Sequence, residues 1–263
     1  MDRAIKLYRI FSFKENSRRE TKDTIVKEEP LGILINSEPY AVLMRTPGFE
    51  EDLAMGFLYS EGIIGRKEDV EVIHYCEKEK EKNTVVVVLK NKRILKNKKR
   101  AFEVRSSCGI CGEDVICGLE KVLKKVPSSA VFSNKKLYGL DKKIFDSQKI
   151  FRLTGGTHAA ALFNKNGRML FLREDIGRHN ALDKIAGFII KKNINCGDKI
   201  VFLSGRTSYE MVLKAIRLGV PVVASISGST SLAVNLSEKF DLTLIGFLRG
   251  DKMNIYTHPW RIK

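Results

Sequence analysis

The chain has 263 residues, 43% of them apolar, so it can bury a hydrophobic core and is not expected to be intrinsically disordered. Lysine and arginine outnumber aspartate and glutamate by 47 to 31, and the resulting net charge of +16 favours an anionic partner. No apolar run reaches the roughly 18 residues of a membrane helix, and the charged N-terminus lacks the apolar core of a secretory signal. We therefore expect a cytoplasmic protein without a membrane partner.

Residues 1–105 predict a β-rich N-terminal domain. Residues 1–20 are polar and predict a loose arm or an edge strand. Short apolar runs then predict strands at residues 24–27, 31–35, 40–44, 70–74 and 84–89. A Thr-Pro-Gly turn precedes a short predicted helix at residues 50–61. Residues 90–100 hold seven Lys or Arg and no acid, which is typical of a solvated loop or edge.

Residues 106–263 predict an α/β domain, and they hold most of the excess charge, with 25 Lys and Arg against 13 acids. Predicted helices cover residues 114–125, 134–146, 180–192, 208–218 and 230–240. Predicted strands cover residues 158–164, 168–172, 199–203, 220–226 and 242–247, and an Asn-Gly hairpin turn joins the first two. This alternation predicts a mostly parallel sheet that is covered by helices on both faces.

Cys108 and Cys111 lie in a small, glycine-rich loop, SSCGICG at residues 106–112. The thiolate is the reactive form of cysteine, and a nearby cation such as Arg105 favours it. The glycines leave room for an incoming partner. By spacing alone, the C-x-x-C pair is compatible with a redox dithiol, half of a zinc site, a sulfur-carrying cysteine or two inert cysteines.

The zinc interpretation lacks a complete ligand set. The sequence has no second C-x-x-C, and Cys117 follows Cys111 at a spacing that common zinc modules do not use. The His-x-Glu and Pro-Cys-x-x-Cys signature of zinc deaminases is absent as well. We expect no zinc, and we expect Cys76, Cys117 and Cys196 to be buried structural thiols.

Four loops of small residues adjoin predicted strands or helices in the C-terminal half, at residues 154–157, 204–207, 227–230 and 248–251. Backbone amides and helix dipoles at such junctions favour anions, and ligands of open α/β sheets lie beyond the carboxyl ends of the strands. One such loop is commonly a plain turn. Several on one sheet predict a phosphate or diphosphate pocket.

Residues 173–180 concentrate charge just before a predicted helix. Asp175 is a candidate N-cap or binding carboxylate, and His179 can exchange a proton near neutral pH. A cluster of capping and salt-bridge residues is the simpler interpretation. His158 lies on an apolar strand, where we expect a core histidine with its hydrogen bonds satisfied.

From about residue 20 to the C-terminus, the chain resembles the formate dehydrogenase accessory sulfurtransferase (FdhD/NarQ) family. The resemblance rests on stretches that follow one another in the same order, with residues 77–100 the least clear part. They are MRTPG at 44–48, GFLYSEG at 56–62, SSCGICG at 106–112, TGGTHAA at 154–160, EDIGRHNALDK at 174–184, LSGRTSYEM at 203–211, SISGSTSLA at 225–233 and GFLRGDKMNIY at 246–256.

The resemblance implies a sulfurtransferase that carries sulfur from a cysteine desulfurase to molybdenum bis(molybdopterin guanine dinucleotide), before that cofactor enters formate dehydrogenase. Cys108 would hold the persulfide and Cys111 would be its partner thiol. The larger domain would have a three-layer α/β/α cytidine deaminase-like fold without the zinc ligands, and the protein would be a homodimer. The residues implied in nucleotide contact are Phe247, Leu248, Arg249, Gly250, Asp251 and Lys252.

The basic C-terminal half suits a cofactor that carries guanosine diphosphate arms. We add a second binding loop made of Ser204, Gly205, Arg206 and Thr207. Arg206 and Arg249 are the candidates for diphosphate contact, because a guanidinium group pairs with phosphate oxygens. Asp251 can accept hydrogen bonds from guanine, so guanosine diphosphate is expected to mimic part of the cofactor.

Two other functions remain open. A cofactor-binding chaperone without sulfur transfer would keep the nucleotide loops but would not need Cys108. A nucleic-acid-binding module would use residues 90–100, but that stretch lacks the interleaved aromatic residues on which bases stack. We therefore do not expect a nucleic-acid partner.

Overall fold

In a computed structural model, the described residues are 3–15, 17–76, 83–91 and 123–263. The loop at residues 106–112 with Cys108 and Cys111, the expected domain boundary at residue 105, and most of the basic run at residues 90–100 lie outside these ranges. The predicted helix at residues 114–125 lies outside them as well, apart from its last three residues, which have no regular secondary structure.

The N-terminal part forms a hairpin and a four-stranded sheet with the order β4-β3-β6-β5. The elements are β1 (Ile5–Lys14), β2 (Ser17–Val26), β3 (Glu29–Ile35), β4 (Glu38–Arg45), α1 (Glu50–Ser60), β5 (Val70–Tyr75) and β6 (Thr84–Leu89). Alternate residues of β3 are buried, and the apolar side chains of α1 and β6 complete the same core. Residues 1–20, predicted as a loose arm or edge strand, supply β1 and the start of its partner strand β2.

The C-terminal part contains a six-stranded sheet with the order β12-β11-β10-β9-β7-β8. Its elements are α2 (Asn134–Leu137), α3 (Leu140–Ser147), α4 (Lys149–Thr154), β7 (His158–Asn164), β8 (Met169–Asp175), α5 (Arg178–Lys192), β9 (Lys199–Leu203), α6 (Tyr209–Arg217), β10 (Val222–Ser225), α7 (Ser231–Lys239), β11 (Thr243–Arg249) and β12 (Lys252–Ile255).

The prediction of a mostly parallel sheet is wrong. Among the described strands of this sheet, β9, β10 and β11 are parallel, whereas β7, β8 and β12 pair antiparallel to their neighbours. The reason is the length of the connections. A hairpin joins β7 to β8 and a tight turn at Gly250 joins β11 to β12, whereas parallel neighbours need a crossover helix. The pairing of β7 with β9 is antiparallel because α5 connects β8 to β9 in the same direction, with β7 between them.

Helices contribute to the apolar clusters on both faces of the six-stranded sheet. Side chains of α5, α6 and α7 pack with Ala160, Leu162 and Val201, whereas α2 and α3 pack with the alternate positions Ala161 and Phe202. The helix predicted at residues 134–146 is two helices. Gly139 interrupts it with a φ of 75°, a left-handed conformation that few other residues adopt without strain.

Helices α1 and α5 join the N-terminal part to the C-terminal part. A Cβ atom at Gly56 would lie 1.8 Å from the carbonyl oxygen of Asp183, and one at Gly187 would lie 1.8 Å from that of Asp52. The two backbones are therefore in direct contact, which only glycine permits. No helix in the described ranges is long and apolar enough to cross a lipid bilayer.

Candidate functional site

One edge of the six-stranded sheet gathers the loops that the sequence singled out. The parallel strands β9, β10 and β11 end there, and strand directions bring the start of β7 and the end of β8 to the same edge. The loops at residues 154–157, 204–207, 227–230 and 248–251 therefore lie along one line, together with the start of α5. Their order along the edge follows the strand order.

Backbone hydrogen bonds fasten the two central loops to each other. The Thr207 amide donates to the Gly228 carbonyl at 3.1 Å, and the Thr230 amide donates to the Thr207 carbonyl at 3.1 Å. The Ser204 amide donates to the Ala159 carbonyl at 2.9 Å, and the Ser204 hydroxyl accepts from the Ala159 amide at 2.8 Å. The edge is thus a connected backbone surface.

The loop at residues 247–252 has an unusual backbone. Phe247 has a φ of 52° at a register shift between β11 and β12, and its exposed ring lies against Gly228. A positive φ at a bulky residue costs of order 1 kcal/mol or more, so the surrounding contacts must hold it. The Phe247 amide donates to the Ser227 carbonyl at 3.1 Å, and the Gly250 amide donates to Asp141 Oδ2 at 2.9 Å.

The candidate binding side chains differ in exposure. Arg206, Arg249, Asp251 and Lys252 are exposed, and Arg249 Nε donates to the Ile226 carbonyl at 3.0 Å, which orients its guanidinium group. Other residues of the two loops face inward. Leu248, Gly205 and Thr207 are buried, so their side chains anchor the loops.

Three hydroxyl groups at this edge are buried without a hydrogen-bond partner among the described residues. Thr207 Oγ1 and Ser229 Oγ lie on the two central loops, and Ser208 Oγ lies at the N-cap of α6. Buried polar atoms are nearly always satisfied, so an unpaired cluster calls for a polar group from elsewhere. The oxygens of a phosphate group fit this need, because they accept hydrogen bonds from hydroxyl and guanidinium donors.

His158 is the first residue of β7, and its ring lies next to Gly205 in the loop at residues 204–207. It is only half buried, so its interpretation as a core histidine is wrong. Burial lowers the pKa of His158, and the positive charge of Arg178 and His179 adds to the effect. On the neighbouring helix, His179 Nε2 lies 2.8 Å from Glu210 Oε2, and that hydrogen-bonding contact lowers the pKa of Glu210.

Asp175 has a structural role in the described part of the chain. It is fully buried, its Oδ2 lies 2.7 Å from Lys184 Nζ, and it accepts hydrogen bonds from the Thr46 amide at 3.2 Å and the Gly177 amide at 2.9 Å. The ion pair agrees with the salt-bridge cluster expected at residues 173–180. The N-cap of α5 is Gly177 and no side chain caps the helix, so the interpretation of Asp175 as the N-cap is wrong. Sequence reasoning missed Lys184 and Thr46, because nothing local marks their pairing.

The two described cysteines differ in environment. Cys196 is buried, and burial raises the pKa of its thiol to about 12. Cys76 is only partly buried, so the expectation of a buried thiol is wrong there. No group of three or more His, Cys, Asp or Glu side chains in the described ranges is placed to hold a metal ion.

Residues 26–263 match the model of the FdhD/NarQ family. Two relatives are both called sulfur carrier protein FdhD. That of Sulfolobus acidocaldarius is 40% identical over 259 residues, which are 98% of each chain. That of Picrophilus torridus is 44% identical over 255 residues, which are 93% of this chain and 94% of the relative.

A solved structure has the same fold. The crystal structure of a proposed formate dehydrogenase accessory protein from Desulfotalea psychrophila superimposes with a TM-score of 0.80. The match covers 99% of this chain and 100% of the chain in that structure, at 22% sequence identity. The two chains therefore share a mixed α/β fold with several sheets. With the family model matched from residue 26 to the C-terminus, the chain belongs to the FdhD/NarQ family.

Proposed function

We propose that this chain is a sulfur carrier that takes up sulfur on Cys108 and delivers it to a phosphorylated cofactor bound along the loop edge of the six-stranded sheet. Support comes from membership of the FdhD/NarQ family, whose relatives are called sulfur carrier proteins. The observation that carries the proposal is a glycine-rich Cys-x-x-Cys loop in the same chain as a basic, hydroxyl-lined edge.

Sulfur uptake follows from thiolate chemistry. The Cys108 thiolate attacks the terminal sulfur of a donor persulfide, a new S–S bond forms on Cys108, the S–S bond of the donor breaks, and the donor leaves as a thiolate. Cys111 can take the same sulfur by a second displacement. Cys196 is a poor competitor, because burial raises the pKa of its thiol to about 12 and leaves little thiolate near neutral pH.

The acceptor in this proposal is molybdenum bis(molybdopterin guanine dinucleotide), bound as substrate. Arg249 and Arg206 pair with a diphosphate, the Ser229 hydroxyl donates to its oxygens, and Asp251 accepts from guanine. The exposed ring of Phe247 offers an apolar face to the base. The positive charge of residues 106–263 favours such a ligand.

We also propose the wider setting that the family resemblance implies. The donor is a cysteine desulfurase, the final recipient is formate dehydrogenase, and the protein is a cytoplasmic homodimer. Residues 106–263 would form the domain with cytidine deaminase-like layers, and residues 1–105 the smaller one. The protein holds no zinc, and acts as a sulfurtransferase with a persulfide intermediate.

Intact mass spectrometry tests the sulfur-carrier role. After incubation with a cysteine desulfurase and cysteine, the protein should gain one or more sulfur atoms, which a reductant should remove. Cys108→Ala should abolish the adduct, whereas the matched control Cys76→Ala should retain it. An adduct that persists in Cys108→Ala and maps to Cys76 would contradict the assignment.

Calorimetry tests the nucleotide loops separately. A hydrogen bond to a charged group is worth about 1.5–3 kcal/mol, so Arg249→Ala should weaken guanosine diphosphate binding by about one to two orders of magnitude. The persulfide should still form, because loading does not need the nucleotide. Equal binding of adenosine diphosphate would contradict recognition of guanine. Nucleotide binding without any sulfur adduct in the unaltered protein would favour the chaperone function instead.

A further inference from the structure

A cluster of basic side chains lies at the loop edge, away from the loop at residues 247–252. A Cβ atom at Gly205 would lie 3.2 Å from His158 Nδ1 and 3.8 Å from Arg178 Cβ, so both side chains border the loop at residues 204–207. His179 is adjacent on α5. We call His158, Arg178 and His179 the basic cluster.

The basic cluster has hydrogen-bonding capacity that the described residues do not use. Arg178 Nε is buried without a partner among them, although a guanidinium nitrogen is costly to bury unpaired. Thr207 is fully buried, and its hydroxyl is unpaired as well. A bound anion would supply acceptors for both donors.

The acids near the basic cluster are already engaged. Asp175 is paired with Lys184 and with backbone amides, and Glu210 contacts His179 from the first turn of α6. The first turn of α5 contains no acidic residue, although the Asp175 carboxylate accepts from the amide of Gly177, the N-cap of the helix. Arg178 therefore supplies a positive charge that no described carboxylate neutralises by direct contact.

The strand order separates this cluster from the proposed nucleotide loop. Residues 247–252 comprise the end of β11, the turn and the start of β12, and His158 begins β7, which is three strand positions from β11 in the sheet. Neighbouring strands are about 4.8 Å apart, so the two places are separated by roughly 14 Å. One phosphate group cannot contact both.

We propose that the basic cluster is a second anion-binding subsite, which takes a phosphate or diphosphate group of the same substrate that the loop at residues 247–252 holds by its nucleotide. The inference rests on the proposed function. It adds that a substrate with two phosphorylated arms is bound at two separate places on the same chain. His158 acts as a hydrogen-bonding side chain, Arg178 as the charge, and the contact with Glu210 fixes the ring of His179.

Calorimetry with inorganic pyrophosphate tests the subsite. Pyrophosphate titrated into protein saturated with guanosine diphosphate should still bind, at about one per chain. Arg178→Gln should weaken pyrophosphate binding at least tenfold, and His158→Asn should weaken it to a smaller extent. The matched control is Arg152→Gln, which alters an exposed arginine on α4 and should leave binding unchanged.

The outcomes separate the two proposals. Arg249→Ala should weaken guanosine diphosphate binding by about one to two orders of magnitude and still bind pyrophosphate at the basic cluster, and circular dichroism melts should show that each variant is folded. Displacement of pyrophosphate by guanosine diphosphate, one for one, would overturn the second subsite, and so would unchanged binding in folded Arg178→Gln. Pyrophosphate binding lost in Arg178→Gln, with no binding of guanosine diphosphate to the unaltered protein, would keep the subsite and refute the nucleotide loop.

Discussion

Lys184→Met should strongly destabilise the protein, because it removes one partner of a fully buried ion pair. Lys184 and Asp175 are 1% and 0% exposed, and Lys184 Nζ also donates to the Thr46 carbonyl at 2.9 Å and the Glu174 carbonyl at 3.2 Å. The change leaves a buried carboxylate without its countercharge and two carbonyls without a donor. Breaking such a pair costs about 3–5 kcal/mol.

Thermal unfolding followed by circular dichroism measures the effect. For a chain of this size, 1 kcal/mol lowers Tm by about 2–4 °C, so the expected loss is roughly 6–20 °C. Lys191→Met is the matched control on the same helix. Lys191 is partly exposed and pairs with Glu51 and Asp52, but Asp52 keeps Arg173 as a partner, so the change should cost about 1 kcal/mol or less. The double variant Asp175→Asn/Lys184→Met should lose less than the sum of its single changes. A Lys184→Met protein no less stable than Lys191→Met would refute the reasoning.

Three further outcomes are expected. Gly187→Ala should cost about 2 kcal/mol in urea unfolding, because its Cβ would lie 1.8 Å from a backbone oxygen, whereas Gly65→Ala, with only a 3.6 Å contact, should change stability by about 0.5 kcal/mol or less. Folding lowers the pKa of His158, so as the pH falls the unfolded chain takes up the proton before the folded protein does. The free energy of unfolding should therefore decrease as the pH drops below 6.5. His158→Asn should flatten this dependence of stability on pH, and an unchanged slope would contradict it. In a variant that lacks Cys108, iodoacetamide should modify Cys76 well before Cys196, and the reverse order would show that Cys196 is accessible.

Local patterns predicted the individual elements well. The alternating apolar residues of β3, the Asn-Gly turn between β7 and β8, and the amphipathic stretch of α5 each have a signal within a few residues. The strand directions in the six-stranded sheet have no such local signal, because they depend on which strands pair after the chain has folded. The interruption at Gly139 was missed because an apolar period continues across it.

The candidate site was predictable only in part. The small-residue loops are visible in the sequence, and the rule on strand ends predicts that they meet. The contact between His158 and the loop at residues 204–207 joins positions far apart in the chain, so no local pattern reveals it. The same holds for Lys184 and Thr46, which are 138 residues apart.

The contact between α1 and α5 has a mechanical consequence. Helices separated by side chains can slide or roll, but two backbones that touch at Gly56 and Gly187 leave no compliant layer between them. Helix α5 begins at Arg178, nine residues or about 14 Å before Gly187. One continuous helix therefore connects the backbone contact to the loop edge. A displacement of α1 would therefore move α5 with it, and with α5 the side chains of Arg178 and His179 at the loop edge.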